Sequence, residues 1–482
     1  GVDDSWKNMS WYANIDYNYR NLYFAQVAMS LESSSRFGEN ADGLSLGGVK
    51  WAYYPSVQLG WAISNEKWFP KTSALNYFLL KAGYDITGND DINNYAARTS
   101  FQVMQYLNNT SVHMLNNIGN DKITYEKTGQ WNVGFKSYLL NNRLGVDFNY
   151  YQKHTTNLLT LKTFENPVAG INNYWSNGGS MDNQGFEVTV TTKPVVSKDF
   201  NIELGASVGH YENKIKTLPN DDKLYVDGVK NAQGYTSSIY GTDNIATIVG
   251  QPVGSFYGYK TAGVFATDAQ AKAAGNNDYL YYLDETGAKQ YFKAGDMHFV
   301  DINKDGKIDE ADKTIIGNPN PDIYGNIFGS VMWKNFTLTL GLNYSLGNDV
   351  YNYTRSVLES GSNFYNQTIA MANRWRHEGQ VTDMPRLSYG DPMGNARFSD
   401  RWIEDGSYLR LKTVNISYKV PVKGDWIQGL TIWAEANNLF TITKYLGSDP
   451  EFSAANGVLY QGIDPGNVAL SRTFTFGMKI NL

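Results

Sequence analysis

Residues 336–346 read FTLTLGLNYSL. Phe336, Leu338, Leu340, Leu342, Tyr344 and Leu346 share one parity, and Thr337, Thr339, Gly341, Asn343 and Ser345 share the other. Successive side chains of an extended strand point to opposite faces, so this stretch is a strand with one apolar face and one small, polar face. Its length matters as much as its period. Strands of soluble proteins mostly stop at about 5–6 residues, whereas a strand tilted across a bilayer needs about 9–11.

The pattern extends outward in both directions. It recurs in WYANIDYNY (11–19), RLGVDFNYY (143–151), GFEVTVTT (185–192), FNIELGASVGHY (200–211) and TFTFGMKINL, where alternation runs to Leu482. About fourteen such runs, many of bilayer-spanning length, lie at 9–20, 22–32, 52–64, 74–87, 123–140, 143–160, 183–195, 200–216, 252–265, 324–334, 336–351, 408–420, 429–445 and 472–482. The segment AQAKAA (269–274) is the one short helical candidate. Tight links such as LNN (140–142) and WKN (333–335) alternate with long polar stretches at 217–250, 266–323 and 352–400. Short turns on one rim and long loops on the other are the mark of an outer-membrane barrel. Aromatics near run ends, such as Trp51, Tyr53, Tyr54, Tyr150 and Tyr151, suit interfacial girdles. A soluble sandwich shares the alternation, but neither the strand length nor the sorted connections.

Composition agrees. Charged residues make up 18% of the 482, below the roughly 25% of an average soluble protein. The formal net charge of −6 and the lack of any Lys/Arg-rich block argue against a nucleic-acid partner. With no cysteine, disulfides and thiolate metal sites are excluded too. No HExxH, GxSxG, Walker or dinucleotide-binding fingerprint appears, and His113, His154, His210, His298 and His377 are scattered without ligand spacing. An enzyme is therefore not expected.

One motif does carry chemistry. DINKDGKIDEAD (301–312) matches a calcium loop: Asp301, Asn303 and Asp305 supply side-chain oxygens at positions 1, 3 and 5, and Gly306 makes the turn. Lys307 offers its carbonyl at position 7, Asp309 stands at position 9 and Asp312 closes position 12, where Glu is usual. Ile308 is the apolar anchor. The flanks do not read as helices, so Ca²⁺ here would be structural, stiffening a long extracellular loop spanning 266–323.

These pieces together resemble the SusC/RagA family of TonB-dependent outer-membrane transporters of Bacteroidota. The resemblance is carried in order by SSRFG (34–38), YYPSVQLGWAISNE (53–66), ITGND (86–90), YEKTGQWNVGF (125–135), VDFNYYQKHTTNLL (146–159), GQPVGSFYGYKTAGVF (250–265), DINKDGKIDEADKTIIGNPNP (301–321), DGSYLRLKTVNISY (405–418), NNLFTITKYLGSDPE (437–451) and RTFTFGMKINL. It implies an all-β fold, a transmembrane antiparallel barrel with long extracellular loops, of which residues 1–482 form the C-terminal thirteen or fourteen strands out of about twenty-two. An open sheet cannot leave unpaired edges in lipid, so the plug and the first strands are expected on a segment outside this chain.

The resemblance further implies outer-membrane import of oligosaccharides or oligopeptides, with TonB reached through that other segment and a SusD-like surface lipoprotein as lid. It also implies pairing of two transporter–lid units. Residues of the polar parity, such as Asn14, Asp16, Asp147, Asn149 and Asn343, would line the lumen. Two alternatives remain open at this point: a passive porin of about fourteen strands, and a secreted all-β carbohydrate-binding protein.

Overall fold

The computed structural model describes residues 5–70, 72–99, 101–106, 109–114, 118–168, 171–219, 222–275, 278–422 and 426–481. Fourteen strands are assigned to one large antiparallel sheet. The chain divides into two compact units, each taken by itself below.

The first unit comprises Gly1–Pro194 with Tyr211–Pro219. Its strands β1 (Asn8–Tyr19), β2 (Tyr23–Ser34), β3 (Val49–Ala62), β4 (Leu75–Asn89), β5 (Glu126–Leu139), β6 (Leu144–Thr156) and β7 (Ser180–Val196) pair antiparallel in chain order. The short strand Leu44–Leu46 lies on β3. Register shows what the alternation is for. Ile15, Val27, Val57, Tyr84 and Trp131 stand opposite one another in a row from β1 to β5, and all are exposed. One residue along, the row reads Asp16, Gln26, Gln58, Gly83 and Asn132. Asn14 donates to Asp16 at 2.6 Å, and Lys81 pairs with Asp147 at 2.8 Å on the same polar face.

The second unit comprises Val195–His210 with Asn220–Leu482. It holds the first part of β8 (Phe200–Thr217), then β9 (Ile323–Trp333), β10 (Phe336–Leu346), β11 (Tyr408–Val420), β12 (Gly429–Thr443) and β13 (Thr473–Asn481). The apolar row from β9 to β13 is Val331, Leu338, Ile416, Ala434 and Phe476. The neighbouring row is Ser330, Thr339, Asn415, Glu435 and Thr475. Here Glu435 accepts from Asn415 and Asn437, each at 3.0 Å, and Asn437 accepts from Thr413 at 3.0 Å. Glycine has a packing reason in this sheet. A Cβ on Gly205 would stand 2.3 Å from the Phe328 ring, and one on Gly477 2.4 Å from Trp433. The bare glycine lets the opposing ring lie flat across its strand.

Shorter and longer connections alternate between the sheet strands among the described residues. Short ones cover 20–22, 63–74, 140–143, 197–199, 334–335 and 421–428; long ones cover 35–48, 90–125, 157–179, 218–322, 347–407 and 444–472. The tightest use left-handed residues, such as Asn21 (φ 55°) and Asn141 (φ 58°), as hairpin twist demands. Among the described residues no helix is long and apolar enough to cross a membrane. The two largest buried apolar clusters lie in the long connections and not between sheet faces.

Two expectations need correction. The run 252–265 is not a spanning strand. All residues of its strand Ser255–Tyr259 are buried, and it pairs with Ile245–Ile248 and Lys313–Gly317 in a separate small sheet. A period-two reading fails there because both faces are covered. The run 336–351 stops at Leu346; Gly347 (φ 82°) turns the chain, and Asp349–Asn352 joins another small sheet. Leu482, the last residue of the terminal alternation, lies outside the described residues.

Candidate metal centre

The calcium-loop sequence sits in the connection from β8 to β9, which is a folded body and not a polar tether. Thr267 caps the helix Asp268–Ala274, as the sequence anticipated, by accepting from the Gln270 N–H. A hairpin follows at Tyr281–Leu283 and Lys289–Tyr291. Tyr259, Phe265, Leu280, Phe292, Met297, Phe299 and Ile308 form one buried core. Burying so many large apolar side chains, at roughly 1.5–3 kcal/mol each, is enough to order a connection of this size.

Residues 301–312 form one tight loop whose Asp and Asn side chains bond its own backbone. Lys304 (φ 61°) and Gly306 (φ 81°) supply the left-handed turn. Asp301 accepts from the Gly306 N–H at 2.7 Å and the Asp305 N–H at 3.2 Å. Asn303 accepts from Asp305 N–H at 3.0 Å, and Asp305 from Lys307 N–H at 2.9 Å. Asp309 caps the single 3₁₀ turn Glu310–Asp312 by accepting from Ala311 N–H at 2.8 Å. Asp312, 0% exposed, accepts from the N–H groups of Ile302 and Asp309, both at 2.9 Å. Burial, with the Asp301 charge adding to it, pushes the Asp312 carboxyl up to about 6.

A hairpin strand bonds to this loop: Ile308 N–H donates to Tyr281 O at 2.8 Å, and Tyr281 N–H to Gly306 O at 3.4 Å. The Ile308 side chain, 2% exposed, plugs into the core. The flanking elements are the strand Met297–Phe299 and the strand Lys313–Gly317, so the expected lack of helices holds.

The structure therefore gathers Asp301, Asn303 and Asp305 about the Gly306 turn and ties Asp309 and Asp312 to the short 3₁₀ turn. The Lys307 ammonium lies 2.5 Å from Asp309 and 3.9 Å from Asp305. Among the described residues no three acidic or histidine side chains are drawn together as a metal cluster. The donor chemistry still fits a hard cation: four carboxylates, an amide and a carbonyl within one loop.

Sequence reasoning missed the Tyr281 partner strand and a clamp onto the connection from β10 to β11. Asp296, fully buried, accepts from Arg386 at 2.8 and 3.0 Å and from Asn395 at 3.1 Å. Nothing local in the sequence marks that pairing. The histidines stay apart. His154 meets Asp182 at 2.6 Å, His210 meets the Asp322 carbonyl at 2.6 Å, and His298 stacks on Phe265 at 4.3 Å. His377 meets the Glu378 carbonyl at 3.2 Å, and the side chain of His113 lies outside those described.

Comparison with known proteins places these observations. No family model matches the chain. It is 28% identical, over 98% of its length, to TonB-dependent receptor P3 of Formosa agariphila, and covers 45% of that protein. It is likewise 28% identical, over 98% of its length, to TonB-dependent receptor SusC of Bacteroides thetaiotaomicron, covering 43% of it. Among solved structures, the RagAB peptide transporter superposes with a TM-score of 0.77 at 23% identity, over 98% of this chain and 48% of the other. The chain thus spans less than half the length of the relatives it matches.

Proposed function

We propose, from the premise that this chain is homologous to SusC-like TonB-dependent receptors and shares the RagAB barrel fold, that it forms the C-terminal barrel part of an outer-membrane importer in a Bacteroidota bacterium. The observation that carries the reading is the pair of rows. Apolar side chains stand in register from Ile15 to Trp131, all exposed, and from Val331 to Phe476, with Ile416 and Phe476 exposed, while the adjacent rows from Asp16 to Asn132 and from Ser330 to Thr475 are small or polar. Such bands on long strands suit acyl chains outside and water inside. Sorted connections give the membrane its two sides.

In this reading the cargo is an oligosaccharide or oligopeptide, movement is driven through TonB, and a SusD-like lipoprotein caps the mouth built by the long connections. Ca²⁺ bound by Asp301, Asn303, Asp305, Lys307 (through its carbonyl), Asp309 and Asp312 stiffens that mouth. The homologues are named as receptors and a transporter, which supports a non-enzymatic role. The test is uptake of labelled oligosaccharides and oligopeptides by cells carrying the full-length receptor, with and without TonB. Uptake that needs both the receptor and TonB is expected, together with co-purification of a surface lipoprotein. Uptake unchanged by loss of TonB would overturn the reading.

A further inference from the structure

On strands β5 to β8 a patch of charge stands at the long-connection end of the apolar face. His154 has the parity of Leu144, Val146, Phe148 and Tyr150 on β6, so it lies on their side of the sheet. It stands opposite Asp182 on β7, with its Nδ1 2.6 Å from the carboxylate. Beyond His210 on β8, Asn213 and Ile215 are buried, whereas Lys214 and Lys216 alternate with them and are exposed. Lys216 reaches Asp182 at 3.4 Å, and Lys214 reaches Glu212 at 2.6 Å. On β5, Lys127 has the parity of Trp131 and Val133, and its ammonium lies 5.3 Å from the Tyr53 ring centre. Trp131 and Tyr150, with ring centres 5.6 Å apart, lie on the same face just nearer the short turns.

Height along the strand gives the patch its meaning. Counted from the short-turn end of each strand, at about 3.3 Å per residue and a tilt of about 45°, His154 stands about 23 Å, Lys127 about 28 Å and Lys214 about 33 Å up. An apolar band is about 25 Å tall, so these groups fall at its upper edge and in the headgroup layer above it. Charge at this height is not the rule in the sheet. By the same count Phe440 and Ile442 on β12 stand about 23 and 28 Å from Leu430, and both are exposed apolar side chains.

We infer that this patch is a headgroup site for a phosphorylated lipid of the leaflet on the long-connection side. The inference rests on the outer-membrane reading above and goes beyond it. Lys214 and Lys216 stand two residues apart on one face, about 7 Å. One phosphate spans that gap with a charge-assisted hydrogen bond of about 2.8 Å to each ammonium. An ammonium carries three donors, so a carboxylate on one of them holds it in place without using it up. Asp182 and Glu212 thus keep both lysines aimed across the strands. Three lysines against two carboxylates leave the patch net positive, as an anionic headgroup requires. Below it the row Phe135, Phe148 and Val188 continues the same face and receives the acyl chains of that lipid.

The experiment places the full-length receptor in phosphatidylcholine vesicles doped with lipid A, either phosphorylated or enzymatically dephosphorylated. Lipid retained per barrel after detergent extraction is counted by native mass spectrometry. Retention of the phosphorylated form should exceed that of the other about tenfold or more, the worth of hydrogen bonds to charged groups. The double variant Lys214→Gln, Lys216→Gln should remove that preference. The double variant Lys214→Arg, Lys216→Arg should keep it within about threefold, since both side chains pair with phosphate. Lys334→Gln, in a short turn at the other rim, should leave it unchanged. Heat-modifiable gel migration reports that each variant is folded. Equal retention of the two forms, or a preference that survives the glutamine pair, overturns the site. Displacement of the lipid by equimolar inorganic phosphate overturns the lipid as its occupant. A receptor that never enters the vesicles sinks the barrel reading and the site with it, whereas equal retention by an inserted barrel sinks the site alone.

Discussion

Leu340→Arg tests the assignment of the two faces directly. Leu340 lies on the apolar row of β10, opposite Gly329 and Val414. It is four residues from the Phe336 end and six from the Leu346 end. At a rise of about 3.3 Å and a tilt of about 45°, that places it about 9 Å and about 14 Å from the ends, near the middle of a band about 25 Å tall. A guanidinium at the midplane costs about 2–4 kcal/mol, and near an interface about 0–1. Leu340→Arg should therefore cost about 2–4 kcal/mol. Leu346→Arg should cost under about 1 kcal/mol. Thr339→Arg, between Ser330 and Asn415 on the polar row, should stay within about 0.5 kcal/mol. The assay is urea-dependent folding of the full-length receptor into phospholipid vesicles, read by heat-modifiable migration. If Thr339→Arg cost as much as Leu340→Arg, the apolar row would not face lipid and the reasoning would fail.

Other expectations concern the connection that holds residues 301–312. Ca²⁺ should bind with Kd about 10⁻⁴–10⁻³ M, in the range of extracellular modules, and Asp301→Ala with Asp305→Ala should abolish the calcium-dependent rise in amide protection around Tyr281 and Ile308. Ile308→Ala should lower the local opening free energy of the 260–312 body by about 2–5 kcal/mol in hydrogen exchange; protection unchanged by this variant would detach Ile308 from the core. Burial holds the His298 imidazole below its ordinary value. Its neutral form is therefore favoured by folding, and the stability it lends is present above about pH 6.5 and lost on acidification below that. Asp312, raised to about 6 in the same body, acts in the opposite sense, so the His298 contribution is read by difference: between pH 7 and pH 5 the protection of His298→Phe should rise relative to wild type, and an unchanged ratio would refute the assignment.

The barrel strands were legible because one physical requirement acts at every position along them. A residue with lipid on one side and water on the other must alternate, as Phe336 to Leu346 does, and the register carries each residue onto a like neighbour. The turn within 301–312 was legible for a related reason, since the left-handed Gly306 and the Asp and Asn side chains that bond its backbone lie within twelve consecutive positions. Where both faces of a segment are covered, the signal vanishes, and Ser255–Tyr259 was misread because its alternation had no asymmetric surroundings to report.

Long-range choices left no local trace either. That Ile308 bonds to Tyr281, and that Asp296 clamps Arg386 ninety positions away, follows from how the long connections pack on one another. The face a strand turns outward is written residue by residue, whereas the Asp296–Arg386 clamp exists only after two connections, 218–322 and 347–407, have folded together. That separation predicts that exchanging both connections jointly with those of a homologue should keep their amide protection, whereas exchanging either alone should lower protection in the other, because each supplies one half of the clamp. A single exchange that left the other connection fully protected would show that the two fold independently.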